Sequence, residues 1–179
     1  LGEGVPEAPE IEGPPPVTVE AAHEALTRTP WTPQSHPLPE CFVCGPARAP
    51  DDGLRLSTGP VEGICAAPWM PDPGLGDENG LIRAEYLWSA LDCPSGQASS
   101  LHSPGRPEEV SILLGRLSAR IEARPPISQP LVVTARHVAR EGRKLIAEAA
   151  VHDAEGRRGA VGRASWIDVD RALLYGETA

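Results

Sequence analysis

Two acidic residues stand in a stretch from Leu81 to Leu101 whose spacing favours a helix with a wide apolar face. Asp92 comes at the end of the most regular part, beside the apolar positions, and Glu85 comes near the start. A carboxylate held against an apolar surface can serve as a nucleophile or as a general base for water. Asp92 is therefore the first candidate catalytic residue and Glu85 the second. Each also has a structural alternative: backbone bonding at the helix end for Asp92, and interaction with the helix dipole for Glu85.

The segment Cys41-Phe42-Val43-Cys44-Gly45 carries two thiols at a spacing that lets both bind one tetrahedral zinc ion. A structural zinc needs four ligands, and the chain offers no second close pair. The further candidates are single residues, namely His36, Cys65 and Cys93. The sequence thus favours buried or partly buried thiols, and we assign no metal and no cofactor. Zinc and a redox pair stay as alternatives.

Two weaker candidate nucleophiles follow Asp92 in the chain. Cys93 would need a basic partner, and the available ones are His102 and His137. Ser95 lies in Cys-Pro-Ser-Gly, which lacks the Gly-x-Ser-x-Gly setting of a nucleophile elbow, so we expect it to be a cap.

The helix that must position these residues is predicted from its apolar period. The apolar residues recur at three- and four-residue steps at Leu81, Ala84, Trp88 and Leu91, and Leu87 and Ala90 widen the stripe. Such a face suits a helix covered by a sheet. Pro94 has no N–H for the Ala90 carbonyl, and its ring crowds that turn. We therefore expect a break at 94–96 and a shorter helical turn after it.

Beyond the helix the apolar period changes to two, which is typical of strands. Four alternating runs begin at Leu113, Leu131, Leu145 and Ala160. In the first run, one face is expected to carry Leu113, Gly115, Leu117, Ala119 and Ile121. Turns at 141–142 and 153–156 join the later runs, so we predict an antiparallel meander. Before the helix, 53–56 and 64–69 are predicted as short strands separated by a turn at Gly59-Pro60.

Composition limits the function classes. The 179 residues suffice for one domain with a core, and the net charge of −9 leaves no basic face for nucleic acid or anionic membrane. No apolar run approaches roughly 18 residues, and no signal peptide is visible. Four cysteines do not make a disulfide framework, which favours the cytoplasm.

The N-terminal part is rich in proline. Residues 1–17 read as a tail or linker, and Thr18 is predicted to cap a short helix over 19–26. We divide the chain into a Pro-rich segment at 1–39 and a folded domain at 40–179.

The order of short strands, long helix and antiparallel meander resembles the hotdog-fold proteins of the thioesterase and acyl-dehydratase superfamily. The segments Cys-Phe-Val-Cys-Gly-Pro, Asp-Gly-Leu-Arg-Leu, the helix, Leu-Leu-Gly-Arg-Leu-Ser-Ala-Arg-Ile and Gly-Arg-Ala-Ser-Trp-Ile together resemble an actinobacterial-type thioesterase-like branch. The resemblance covers about 40–168 and implies an α+β hotdog fold, with a long antiparallel sheet wrapped around one helix.

The same resemblance implies hydrolysis of an acyl-CoA or acyl-carrier thioester at the interface of a homodimer. Backbone N–H groups at the helix start would polarise the thioester carbonyl, and a helix carboxylate would act on it or on water. The family's His-Gly-Gly start falls here on Arg83-Ala84-Glu85. Its acidic pair falls on Asp92 and Cys93, so the second acid is replaced by a thiol.

Two hypotheses follow. The first is a thioesterase-like hydrolase with Asp92 or Glu85 as the working carboxylate. The second is a non-catalytic hotdog protein that binds an acyl compound and has lost its catalytic positions. Substrate-binding candidates are Arg83, Tyr86 and Trp88 on the helix and Arg116 and Arg120 on one strand face, where two cations could meet the phosphates of coenzyme A. For Trp88, core packing is the stronger expectation.

Overall fold

The fold consists of one long helix covered by a six-stranded antiparallel sheet, in a computed structural model that describes residues 10–105 and 110–172. The helices are α1 (Val19–Leu26) and α2 (Ala84–His102), with a 3-10 turn at Pro73–Leu75 before α2. The strands are β1 (Gly59–Val61), β2 (Ile64–Trp69), β3 (Val110–Ile121), β4 (Leu131–Glu141), β5 (Lys144–Asp153) and β6 (Arg158–Asp170). Their order across the sheet is β1-β2-β4-β5-β6-β3, which leaves β1 and β3 at the edges.

The α+β class and the position of α1 are confirmed. The predicted four-stranded meander is correct only for β4, β5 and β6, which pair in succession, because β3 pairs with β6 at the edge of the sheet and not with β4. The first strand is also not where the sequence placed it. Residues 54–58 form no strand, and β1 instead includes the Gly59-Pro60 pair that we expected to be a turn. The turn lies one step later, where Glu62 and Gly63 both have positive φ angles. Gly59 itself has no room for a side chain, because a Cβ there would overlap the Ala25 carbonyl of α1.

The inner face of the sheet packs on α2 through alternate residues, as the two-residue period predicts. β4 and β5 contribute Leu131, Val133, Ala149 and Val151 to the cluster that surrounds the helix. From α2 the buried members are Leu87, Ala90, Leu91 and Ala98. Trp88 is an exception, since it is 39% exposed, so the expectation that it packs in the core was wrong.

A bulge changes which residues of β3 face the helix. The pairing with β6 shifts between Leu114 and Arg116, which leaves Gly115 as an extra residue. Beyond the bulge Leu117, Ala119 and Ile121 pack on the core as expected. Before it the parity is reversed: Ile112 packs beside Trp166, and Leu113, which we expected on the inner face, is 48% exposed.

The predicted break at Pro94 does not occur. α2 continues through Pro94 to His102, and Pro94, Ser95 and Gly96 are buried helical residues. Ser95 Oγ donates to the Asp92 carbonyl at 2.7 Å and accepts from Trp166 Nε1 at 2.9 Å. Ser95 is therefore not a cap, and the packing of the sheet on this turn stabilises a helix that the local rule for proline would end.

The outer face of the sheet is covered by the N-terminal segment. The Thr18 side chain caps α1 as predicted, and Ala22 and Ala25 pack on Ala66 and Val132. The described part of the expected tail, residues 10–17, is an ordered arm, because Ile11 is buried against Ala150 and Val161. Residues 1–9 lie outside the described part. The boundary between residues 39 and 40 stays a prediction.

Candidate functional site

Three of the predicted site residues meet at the N-terminus of α2. The guanidinium of Arg83 donates to the Tyr86 hydroxyl at 2.8 Å and to the Gly74 carbonyl at 3.1 Å. It also lies 4.9 Å from the centre of the Tyr86 ring, a cation–π distance. Glu85 is exposed, and its Oε1 is 3.5 Å from Arg83 Nε. The helix start thus presents a cation that is held by its neighbours.

The aromatic ring of Tyr86 connects this corner to the cysteine loop. The Phe42 ring lies 6.1 Å from it, centre to centre, within the range of aromatic contacts. The loop is fixed by backbone bonds from Leu54 N–H to the Phe42 carbonyl and from Leu56 N–H to the Val43 carbonyl, both 2.8 Å. The segment after the cysteines therefore anchors the loop beside the first half of α2.

Asp92 lies two turns further along α2. Its carboxyl is half-buried, and its Oδ1 is buried without a hydrogen-bond partner in the part of the chain that the structure describes. Burial raises the pKa of Asp92 to about 6, and the negative charge of Cys41 adds to the rise. Buried carboxylate oxygens usually have hydrogen-bond partners. The free Oδ1 therefore makes Asp92 a candidate for contact with a ligand.

Three sulfur atoms cluster next to Asp92. Cys41 and Cys44 come from the loop and Cys93 from α2, and their Sγ atoms all lie within 4.8 Å of one another. Cys41 Sγ and Cys93 Sγ are 3.7 Å apart. Cys65, which the sequence left as a candidate ligand, lies outside this group.

The pKa values of the three thiols shift in opposite directions. The thiols of Cys44 and Cys93 hydrogen-bond to the Cys41 sulfur and hold the pKa of Cys41 far below its ordinary range. The same contacts raise the pKa of Cys44 to about 12 and the pKa of Cys93 well above its ordinary value. Of the three thiols, Cys41 is therefore the one that loses its proton most readily, with its two neighbours as hydrogen-bond donors.

A cavity of about 130 Å³ borders two of the cysteines, Cys44 and Cys93. It lies between the 31–44 loop, the second half of α2 and the beginning of β3, and its lining includes His36, Leu38, Cys44, Cys93, Gln97, Ile112 and Trp166. None of the seven predicted catalytic and substrate-binding residues lines it. Gln97 is held in place because its Oε1 accepts from both N–H and Oγ1 of Thr58 at 2.8 Å.

The remaining substrate candidates are not joined to the helix start by a described contact. Arg120 pairs with Glu122 at 2.8 Å, and Glu122 also pairs with Arg158. Arg116 is exposed on the edge strand β3. Trp88 is exposed on α2. These three residues stay predictions as substrate contacts.

The histidines that the sequence offered as partners for Cys93 lie elsewhere. His137 Nδ1 is 3.4 Å from Ser99 Oγ, and the pKa of His137 is lowered by burial and by the charges of His102 and Arg140. The partner of Cys93 is Cys41 instead. The sequence analysis had named Cys93 among the candidate metal ligands. Because it expected the helix to break after Cys93, it did not place Cys93 next to Cys41.

Known structures share this architecture. No family model and no curated protein matches the sequence. The thioesterase superfamily protein RHA08564 superposes with a TM-score of 0.62 at 19% identity, over 72% of this chain and 60% of that one. A thioesterase superfamily member from Thermus thermophilus gives 0.55 at 16% identity, over 65% and 88%. The protein smu.793 from Streptococcus mutans, bound to acetyl CoA, gives 0.55 at 12% identity, over 63% and 87%.

These likenesses show that the chain has the hotdog fold, as its resemblance in sequence predicted. The match reaches less than two thirds of the length of the first of these proteins. Among the described residues, no helix combines the length and apolar character needed to cross a bilayer.

Proposed function

We propose that this hotdog-fold protein binds an acyl-CoA or a similar acyl thioester and hydrolyses it, as a cytoplasmic homodimer. The proposal rests on Asp92. Its carboxyl is half-buried on the central helix, and its Oδ1 accepts no hydrogen bond from any described residue. A protein of the same fold holds acetyl CoA, which supports a thioester as the ligand class. The four free cysteines are in keeping with a reducing compartment.

The chemistry assigned to Asp92 is that of a general base. Its carboxylate takes a proton from water while the water oxygen attacks the thioester carbonyl. The C–S bond then breaks, the acid product leaves, and the departing thiolate takes up the proton. Arg83, fixed by Tyr86 at the start of α2, is the cation available to the carbonyl oxygen or to a phosphate. Glu85, exposed beside Arg83, is the second candidate base.

The dimer is proposed to form through β3. This strand is twelve residues long and lies at an edge of the sheet, and residues 113–116 are exposed. Leu113 and Leu114 expose 48% and 40% of their surface. A long apolar edge strand is a template for pairing with another chain. Arg116 and Arg120 follow on the same strand. There they would lie at the subunit interface and contact the phosphates of coenzyme A.

A second candidate function, binding without hydrolysis, is favoured by the helix start. Ala84 and Glu85 place side chains where the related thioesterases are expected to have glycines, and Arg83 donates its guanidinium N–H groups to Tyr86 and Gly74. A backbone crowded in this way polarises a carbonyl less well. In that case Asp92 would accept a hydrogen bond from the ligand.

The deciding experiment is thiol release from short to long acyl-CoAs by the wild type, Asp92→Asn and Glu85→Gln. Asp51→Asn, an exposed carboxylate in the loop before Gly53, is the matched control, and circular dichroism confirms folding. Turnover lost only in Asp92→Asn supports the proposal. Loss only in Glu85→Gln moves the chemistry to the helix start. Thermal stabilisation by an acyl-CoA without turnover supports the binding function, and the absence of both effects contradicts both functions.

A further inference from the structure

The sulfur cluster has the dimensions of a metal site. Tetrahedral zinc with Zn–S bonds of about 2.3 Å separates its sulfurs by about 3.8 Å. The Sγ atoms of Cys41 and Cys93 are 3.7 Å apart, and Cys44 Sγ is within 4.8 Å of both. A disulfide would need about 2.05 Å. Three sulfurs at this separation from two distant parts of the chain can contact a single ion.

Backbone hydrogen bonds fix the loop that carries Cys41 and Cys44. Cys41 N–H donates to the Leu38 carbonyl at 3.0 Å, and Gly45 N–H donates to the Cys41 carbonyl at 2.8 Å. A Cβ at Gly45 would overlap the Cys41 backbone, so the tight turn requires glycine there. Cys93 is fixed on α2, 52 residues away in sequence from Cys41. The turn and the helix thus position the three ligands before any ion binds.

The charges around the cluster favour a cation. Asp92 directly precedes Cys93 on α2, and its Oδ1 is buried without a hydrogen-bond partner among the described residues. His36 is the other titratable neighbour of Cys41, but its Nδ1 accepts from Leu38 N–H at 3.0 Å, so its Nε2 carries the proton and cannot bind a metal. A divalent ion would balance the sulfur charges and the carboxylate together.

We propose that Cys41, Cys44 and Cys93 bind one zinc ion as thiolates, with water as the fourth ligand. Three protein ligands and a water form a common zinc site, and sulfur ligands favour zinc over magnesium or calcium. Binding releases the thiol protons to solvent. The ion ties the 38–45 loop to α2 beside Asp92 and the cavity. This site needs no acyl thioester, so it stands or falls independently of the proposed hydrolysis.

The test is elemental analysis of the full chain, made in zinc-supplemented medium and purified without chelators or nickel resin. We expect roughly one zinc per chain in the wild type. Cys41→Ser, Cys44→Ser and Cys93→Ser should lose it, and Cys65→Ser, the matched control, should retain it. Replacement by Co²⁺ should give the thiolate charge-transfer band and intense visible bands of a tetrahedral site.

The wild type alone provides a second measurement in case a serine variant does not fold. Zinc should protect three thiols from alkylation in the native state, and a chelator should expose them. Wild type without zinc that takes up none on titration would overturn the proposal. So would zinc retained by all three serine variants, or a mass lower by two hydrogens, which would show a disulfide in the cluster.

Discussion

Trp166 and Ser95 join the sheet to the central helix by a buried hydrogen bond. The indole Nε1 donates to Ser95 Oγ at 2.9 Å, and Ser95 Oγ donates in turn to the Asp92 carbonyl at 2.7 Å. Ser95 is 1% exposed and Trp166 is 7% exposed. This chain of two bonds lies in the turn that contains Pro94, so β6 helps to hold the part of α2 that carries Asp92 and Cys93.

A double-mutant cycle should detect this bond as coupling. We expect Trp166→Phe to lower the free energy of unfolding by about 1–3 kcal/mol, because it removes the donor and part of a buried ring. Combined with Ser95→Ala, the loss should be smaller than the sum by roughly 0.5–1.5 kcal/mol. Urea unfolding measures each term. Trp69→Phe, a buried tryptophan in a different core cluster, is the control and should add to Ser95→Ala without coupling.

Gly96 should be a site where alanine destabilises a helix. Alanine is intrinsically better than glycine in a helix by about 1 kcal/mol. A Cβ at Gly96, however, would lie 2.8 Å from Cζ2 of Trp166 and 3.0 Å from Cδ1 of Ile112. Because both neighbours pack in the core, we expect Gly96→Ala to cost roughly 1–3 kcal/mol in unfolding free energy. Ser100→Ala on the same helix is the control, and a more stable Gly96→Ala would show that Trp166 can move aside.

The sequence predicted the elements better than their local irregularities. The alternation of β5 and β6 and the bounds of α1 follow from period and capping, which are local properties. The continuation of α2 through Pro94 depends on contacts with Trp166, which is 72 positions away in sequence, so no local rule could show it. The bulge at Gly115 reversed the parity of Leu113 for the same reason, because a bulge is defined by the partner strand.

The candidate site shows the same division. The Cys-x-x-Cys spacing indicated a pair of ligands, and the third thiol was available in the sequence as Cys93. Only the fold selects Cys93 over Cys65, because α2 brings one of them to the loop and β2 holds the other in the core. The packing of Ile11 on the outer face could not be predicted either, since the scattered apolar residues of a Pro-rich segment show no period.

His152 should make the fold less stable in mild acid. It is 2% exposed, and burial, with the charge of Arg158, lowers its pKa from 6.5 to about 4. The unfolded chain therefore binds a proton at this residue near pH 6.5, while the folded chain binds one only near pH 4. Stability from this residue is complete above pH 6.5 and falls as the pH drops towards 4, by roughly 3 kcal/mol in total.

The measurement is urea unfolding of the wild type and His152→Gln between pH 7.5 and 4.5. Both proteins also lose the stability of paired carboxylates, such as Asp153 with Arg157 at 2.7 Å. The effect of His152 is therefore the difference between the two slopes, with the wild type steeper. Parallel slopes would show that the His152 imidazole accepts its proton in the folded protein without penalty.

The exposed leucines of β3 should control the oligomeric state. Leu113 lies before the bulge on the edge strand, and it is 48% exposed because the bulge turns it away from the core. Lysine at an edge is the usual means by which proteins prevent strand pairing. We expect Leu113→Lys to shift a wild-type dimer towards monomer in light scattering, with an unchanged melting transition of the monomer fold.

Val138→Lys is the matched control, because Val138 is 40% exposed but lies on the interior strand β4. A wild type that is monomeric at every concentration would contradict the proposed dimer. Equal dissociation of both variants would place the subunit contact away from β3. In either case Arg116 and Arg120 would not lie at a subunit interface.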